Sequence, residues 1–229
     1  MFFKNSLTSL IMMLFLLSSC TSKKQLTYLG DADSWVKNKI NLSNFKSIIE
    51  IGDILKIDVQ SIVPEAAIVY NLTVSSGSMQ NLELLKLEGY LVDNSGFINF
   101  PVLGKINVSD LSTFSLEKKL TSLLSNGEHL KNPSIKVRRV NSKFTVLGEV
   151  RNPGTFSFYD EKLNLLQALG YAGDLTVDGK RNDLSLIREE NGYRTVYKVE
   201  LTKSDLLNKS IYQIKNNDVI IVNPSYSKV

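Results

Sequence analysis

One cysteine, one histidine and one tryptophan occur in 229 residues, and no block of five or six like charges does. A lone Cys20 closes no intramolecular disulfide, and with His129 as the only imidazole no Cys/His zinc site can be assembled. The charge is equally thin. A formal net of +4, with the basic residues scattered along the chain, gives a sequence pI near 9.0 little weight as a sign of nucleic-acid binding. No catalytic set stands out either. His129 follows Asn126-Gly127-Glu128 with no Ser or Cys motif to frame it as a base, while Asp53, Asp58, Asp93, Glu149 and Asp160 fall at turns or alternating strand positions, where solvated or capping acids are the norm. The sequence therefore gives no catalytic residue, no metal site and no cofactor.

What is present begins at the N-terminus. Lys4 precedes the apolar stretch Leu7 to Leu17, and the small residues Ser18-Ser19 lead into Cys20. That is the pattern of a signal peptide, and eleven residues fall well below the ~20 that a spanning helix needs. Leu17-Ser18-Ser19-Cys20 resembles the lipobox of bacterial lipoproteins, which implies that Cys20 becomes the first mature residue and carries acyl chains; the alternative is an ordinary signal peptide with an incidental cysteine. Two or more chains make a durable tether, at about 0.8 kcal/mol per buried methylene. Loss of residues 1–19 removes Lys4 and no acid, leaving a charge of +3 on a chain of about 210 residues, enough for one sizeable core or two small ones. Residues 20–47, rich in Lys, Asn and Ser without sustained periodicity, are expected to be a lipidated leader that holds the body off the membrane. Within it Trp35 is expected to dock on the body, with lipid headgroups the other option.

Periodicity starts at Gly52-Asp53, a turn that feeds ILKIDV, in which Leu55, Ile57 and Val59 alternate with polar neighbours. Asp218 before VIIV repeats that turn-Asp-strand scheme, although an acid before a strand is common turn chemistry. Between them, GYLVDNSGFINFPVLGKI predicts a hairpin closed at Asp93-Asn94-Ser95-Gly96, with Pro101 and Gly104 marking a bend. A helix follows, with Ser112 as N-cap, Leu116, Leu120, Leu123 and Leu124 on one face, and Asn126-Gly127 as its stop. Asn132-Pro133 then opens the strand SIKVRRV. Its Lys136, Arg138 and Arg139 face solvent, an anionic glycan or an acidic neighbouring subunit.

Tyr90, Val92, Asp93, Gly96, Ile98, Pro101, Gly104, Asn132 and Pro133 resemble, in order, the motif of the bacterial polysaccharide export family, with Gly52-Asp53 ahead of them. FTVLGEVRNPGTFSF, in which Pro153-Gly154 is expected to form a tight turn after Gly148, leads to a short helix over LNLLQALGY ended at Gly173. Two strands around Asn191-Gly192 and the closing DVIIV follow. This second half resembles the soluble-ligand-binding β-grasp (SLBB) domain of the same family. The expectation is an α+β chain with an export domain over 48–141, one β-grasp domain over 142–223 and a short tail, 224–229. Taken singly, the glycines are turn formers; the resemblance rests on their order.

The resemblance implies a non-enzymatic lipoprotein of the outer membrane whose body faces the periplasm. It would form a homo-oligomeric ring or conduit for capsule or exopolysaccharide, with polysaccharide and an inner-membrane polysaccharide co-polymerase as partners and no nucleic acid. Only Asn223 to Val229 follow the last strand, too few for the pore-lining C-terminal helix of the best-known members. A short member working beneath a separate outer-membrane β-barrel is therefore expected. The alternative is a monomeric tethered module that binds a glycan in the periplasm.

Overall fold

The computed structural model describes residues 27–35, 47–72, 89–190 and 192–225. Cys20, the signal segment 1–19 and the side chain of Trp35 lie outside the described residues. The fold is α+β, built around two separate hydrophobic clusters.

The first cluster is organised by β1 (Ile54–Gln60), the middle strand of an antiparallel sheet with β2 (Tyr90–Leu91) and β5 (Ser134–Arg139). The period-2 alternation sends Leu55, Ile57 and Val59 inward with Ile135 and Val137 of β5. The helix Thr113–Asn126 packs on them through Leu116, Leu120 and Leu124, all fully buried, whereas Leu123 turns outward. Ser112 caps it by accepting from the Ser115 amide at 3.1 Å, as its side chain predicts. Glu117 of the same helix accepts from the Val137 amide at 2.9 Å and so covers the open edge of β5.

The expected hairpin is displaced. β2 pairs with β1, and the hairpin forms instead between β3 (Phe97–Phe100) and β4 (Gly104–Asn107), around Pro101-Val102-Leu103. The cause lies in Asp93, whose carboxylate takes the amides of Ser95 and Phe97 at 2.8 and 2.9 Å. The turn is thereby a corner that passes the chain from sheet to hairpin. Gly96 completes the corner at φ 78°, where an added Cβ would lie 1.7 Å from Ser109 Oγ.

The second cluster lies under a five-stranded sheet in the order β10-β9-β12-β6-β7. The strands are β6 (Lys143–Gly148), β7 (Gly154–Ser157), β9 (Gly179–Glu190), β10 (Tyr193–Val199) and β12 (Val219–Pro224); β12 runs parallel to β6 and every other pairing is antiparallel. The helix Leu165–Tyr171 starts at an Asn164–Gln167 capping box. Beside it, β8 (Leu163–Asn164) pairs with β11 (Gln213–Ile214). Phe144, Val146, Leu165, Leu169, Leu186 and Ile220 fill the core.

The tight turn expected at Pro153-Gly154 does not form. Val146 pairs with Gly154, while Leu147 and Gly148 continue β6 against β12, so the connection runs over residues 149–153 and Gly154 begins β7 without a left-handed φ. Residues 150–152 bond instead to the stretch after the helix: Arg151 N to Asp174 O at 3.1 Å, Asn152 N to Ala172 O at 2.9 Å. The left-handed glycine is Gly148, where a Cβ would meet Val222 O at 2.1 Å.

Residues 27–35 are docked on this second unit rather than free of it. Leu29 and Gly30 donate to Leu201 and Thr202 carbonyls at 2.8 Å, Asp31 accepts from the Ser204 amide at 2.7 Å, and the Tyr28 hydroxyl donates to Asp174. Trp35 ends a 3-10 turn over Ala32–Trp35. Among the described residues no helix is long and apolar enough to cross a membrane.

Candidate functional site

The turn-Asp-strand echo is a repeated piece of geometry. In the first unit Asp53 is buried, takes the Glu50 amide at 2.8 Å and lies 2.8 Å from Arg139 Nε on the neighbouring strand β5. In the second, Asp218 is buried, takes the Lys215 amide at 2.8 Å and holds Arg188 of the neighbouring strand β9 with both oxygens, at 2.9 and 2.6 Å. Each turn needs a left-handed residue just before its acid, Gly52 at φ 84° and Asn217 at φ 64°. Each therefore buries an acid that an arginine neutralises and to which a backbone amide donates a hydrogen bond.

The two turns meet. Asn216 Nδ2 donates to Asp53 Oδ1 at 3.2 Å, and Lys215 Nζ lies 3.8 Å from Glu50 and 2.8 Å from Glu190. The chain joining the units is fastened to both. Asn141 bonds Ile54 N and Gly52 O, each at 2.9 Å, while Lys143 donates to Asn216 Oδ1 at 3.0 Å and accepts from Asn217 N at 2.7 Å. Burial raises the carboxyl of Glu50 above its ordinary range, with Lys215 opposing; burial does the same to Asp53 against Arg139, the Glu50 amide and Asn216. Glu190 is lowered, chiefly by its bond to Lys215.

Above this junction opens a cleft of about 800 Å³. Its floor is the outer face of the first sheet, where the register places Lys56 opposite Arg138 and Asp58 opposite Lys136. Its far wall is the loop 158–162 of the second unit, pinned by a 2.8 Å bond from Thr113 Oγ1 to Glu161. Of the basic strand, Lys136, Arg138 and Arg139 all line the cleft; Lys136 lies 3.3 Å from Glu117, and Arg139 is engaged in its pair with Asp53.

The remaining motif residues shape the chain away from this cleft. Tyr90 is buried against Phe100, donates to Tyr70 O at 3.3 Å, and is pushed up to about 12 by burial. Asp93, Gly96, Pro101 and Gly104 build the corner and hairpin, Asn132 at φ 48° and Pro133 lead into β5, and Gly173 at φ 74° ends the second helix. His129 Nδ1 lies 3.2 Å from the Tyr70 hydroxyl. Sequence reading missed Asn141, Arg188, Lys215 and Asn216; the one available signal was the likeness of EIGD to KNND, visible only as an echo.

The family described as polysaccharide biosynthesis/export protein matches residues 43–139, and the SLBB domain matches residues 143–198. The two matches divide at the connector that Asn141 and Lys143 fasten. The EPS I polysaccharide export outer membrane protein EpsA of Ralstonia solanacearum is 28% identical over 140 residues, covering 59% of this chain and 36% of that protein. Its counterpart in Ralstonia nicotianae is 30% identical over 148 residues, covering 61% of this chain and 38% of that protein. The matched stretch thus spans well under half the length of either relative.

Proposed function

Since residues 43–139 match the polysaccharide biosynthesis/export family and residues 143–198 match the SLBB domain, we propose that the protein is a non-enzymatic component of a capsule or exopolysaccharide export machine. In this reading residues 48–141 form the export domain and 142–223 the β-grasp domain. The chain is held at the outer membrane by acyl chains on Cys20, its body faces the periplasm, and copies associate into a ring or conduit for the polymer. The observation that carries it is the pairing of the two domain types, in order, on the two units that share one junction. The motif residues Gly52, Asp53, Tyr90, Asp93, Gly96, Pro101, Gly104, Asn132, Pro133, Gly148, Pro153, Gly154, Gly173 and Asp218 act here as structure, fixing turns and buried pairs. Exposed strand edges at β7 and β10, with Tyr193 and Val196 open to solvent, suit contacts between copies.

Deleting the gene is expected to abolish surface polysaccharide, and Cys20→Ala to abolish both fatty-acid labelling and complementation. Normal surface polysaccharide in the deletion strain would overturn the export reading. A protein that stays monomeric in detergent and under crosslinking in native membranes would replace the ring with a tethered glycan-binding module.

A further inference from the structure

The floor of the cleft contains a local conflict. Lys56 and Arg138 stand directly opposite in the β1–β5 register, and like charges so placed destabilise an antiparallel pair. Lys56 has Asp58 at 3.9 Å, but Arg138 has no acidic partner among the described residues. Lys162, on the facing loop, has none either. On the same loop Tyr159 is 62% exposed, with no aromatic neighbour among the described residues, and the loop is held in place by the Thr113–Glu161 bond. Unpaired cations in a preformed concave site and an open aromatic face, together with carboxylates able to accept hydroxyl donors, form a recognisable set of functions. They match an anion carried on a polyhydroxyl scaffold.

We infer that this interdomain cleft binds a short segment of acidic oligosaccharide, with a carboxylate or phosphate substituent taken by Arg138 and Lys162 and a sugar ring lying on Tyr159. Asp58 accepts from sugar hydroxyls. The guanidinium of Arg138 suits either anion because its planar fork matches two oxygens at once. The glycan class rests on the export reading, whereas the preference for negative charge comes from Arg138 and Lys162, with Asp160 on the same loop opposing it.

The test uses the full chain in detergent, titrated calorimetrically with an oligogalacturonate, a phosphorylated glucose oligomer and a neutral glucose oligomer of equal length. At least one anionic oligomer is expected to bind, and the neutral one about tenfold or more weaker. Arg138→Gln and Lys162→Gln should each weaken the anionic oligomer by about tenfold, and Tyr159→Ala should weaken it too. All three positions are open to solvent, and unchanged melting curves check that the variants fold. Equal affinity for the neutral oligomer, failure of both anionic ones, or indifference to Arg138→Gln overturns the inference. So does displacement of the oligomer by phosphatidylglycerol vesicles at lower concentration, which would make the cleft a membrane site, or loss of self-association alone in Arg138→Gln, which would make it a subunit contact. Export and binding fail separately: a deletion strain with normal surface polysaccharide leaves the titration untouched, and a null titration leaves the deletion phenotype untouched.

Discussion

Aspartates 53 and 218 hold the same place in a turn before a strand and do the same job, yet their neighbours set them different electrostatic conditions. Asp218 has a two-point bond to Arg188 and a backbone amide. Asp53 shares a crowded junction with Glu50, and burial raises both carboxyls, Lys215 and Arg139 notwithstanding. A carboxyl raised in the fold binds its proton more tightly there than in the unfolded chain. Its contribution to stability is therefore fully present below the unfolded value and is lost as pH rises through the raised one. Glu190 has the opposite sign, because its carboxyl is lowered and its contribution disappears as pH falls. Replacing Glu50 by Gln removes a group of the first kind. The stability of Glu50→Gln relative to the unmodified protein is thus expected to move in the variant's favour between about pH 4 and about pH 7. Urea unfolding at the two pH values measures it; a gap that moves the other way would mean that the Lys215 contact outweighs burial.

At the scale of the element, the helix Thr113–Asn126 shows how far a pattern carries. Four leucines at positions 116, 120, 123 and 124 lie along one broad face, but the sheet covers only three of them, and Leu123 is 40% exposed. Leu120→Ala leaves a hole in a close-packed layer and is expected to cost about 2–5 kcal/mol. Leu123→Ala removes partly solvated surface and should cost under about 1 kcal/mol. Denaturant midpoints at constant m-value separate the two. The corner at Asp93 and the loop before Gly154 show the converse. Turn residues mark where a chain reverses, but the strand it next pairs with depends on which edge is open. β1 claims β2, and the stretch after the second helix claims residues 150–152.

In the whole molecule, two small cores share one short connector fastened on both sides, so they are expected to unfold together. Asn141 holds the first turn and Asn216 the second, and Asn216 also bridges to Asp53. Asn141→Ala combined with Asn216→Ala removes those bonds, each worth about 1 kcal/mol. The single transition expected of the unmodified chain should then separate into two in calorimetry. A double variant that still melts in one step would show that the remaining ties, Thr113 to Glu161 and Lys215 to Glu50, suffice to couple the units. The docking of residues 27–35 on Leu201, Thr202 and Ser204 adds a further tie, made within the second unit and not across the junction.

Much of this was legible in the sequence because it is local. Alternation around Ile57, leucine spacing from 116 to 124, the cap at Ser112 and the turn glycines at 52, 96 and 173 are each set by residues a few positions apart. Their order along the chain carries the resemblance to a family. What joins residues distant in sequence was not legible. The Arg188–Asp218 and Arg139–Asp53 pairs, the bridge from Asn216 to Asp53 across 163 positions, the facing of Lys56 by Arg138 and the docking of Tyr28 at Asp174 follow from strand order and register. Local preference is a property of a short segment, whereas a buried charge finds its partner only once two sheets have closed. The tertiary structure therefore decided which acids are buried, which cations remain unpaired, and that two turns separated by most of the chain form one junction beneath one cleft.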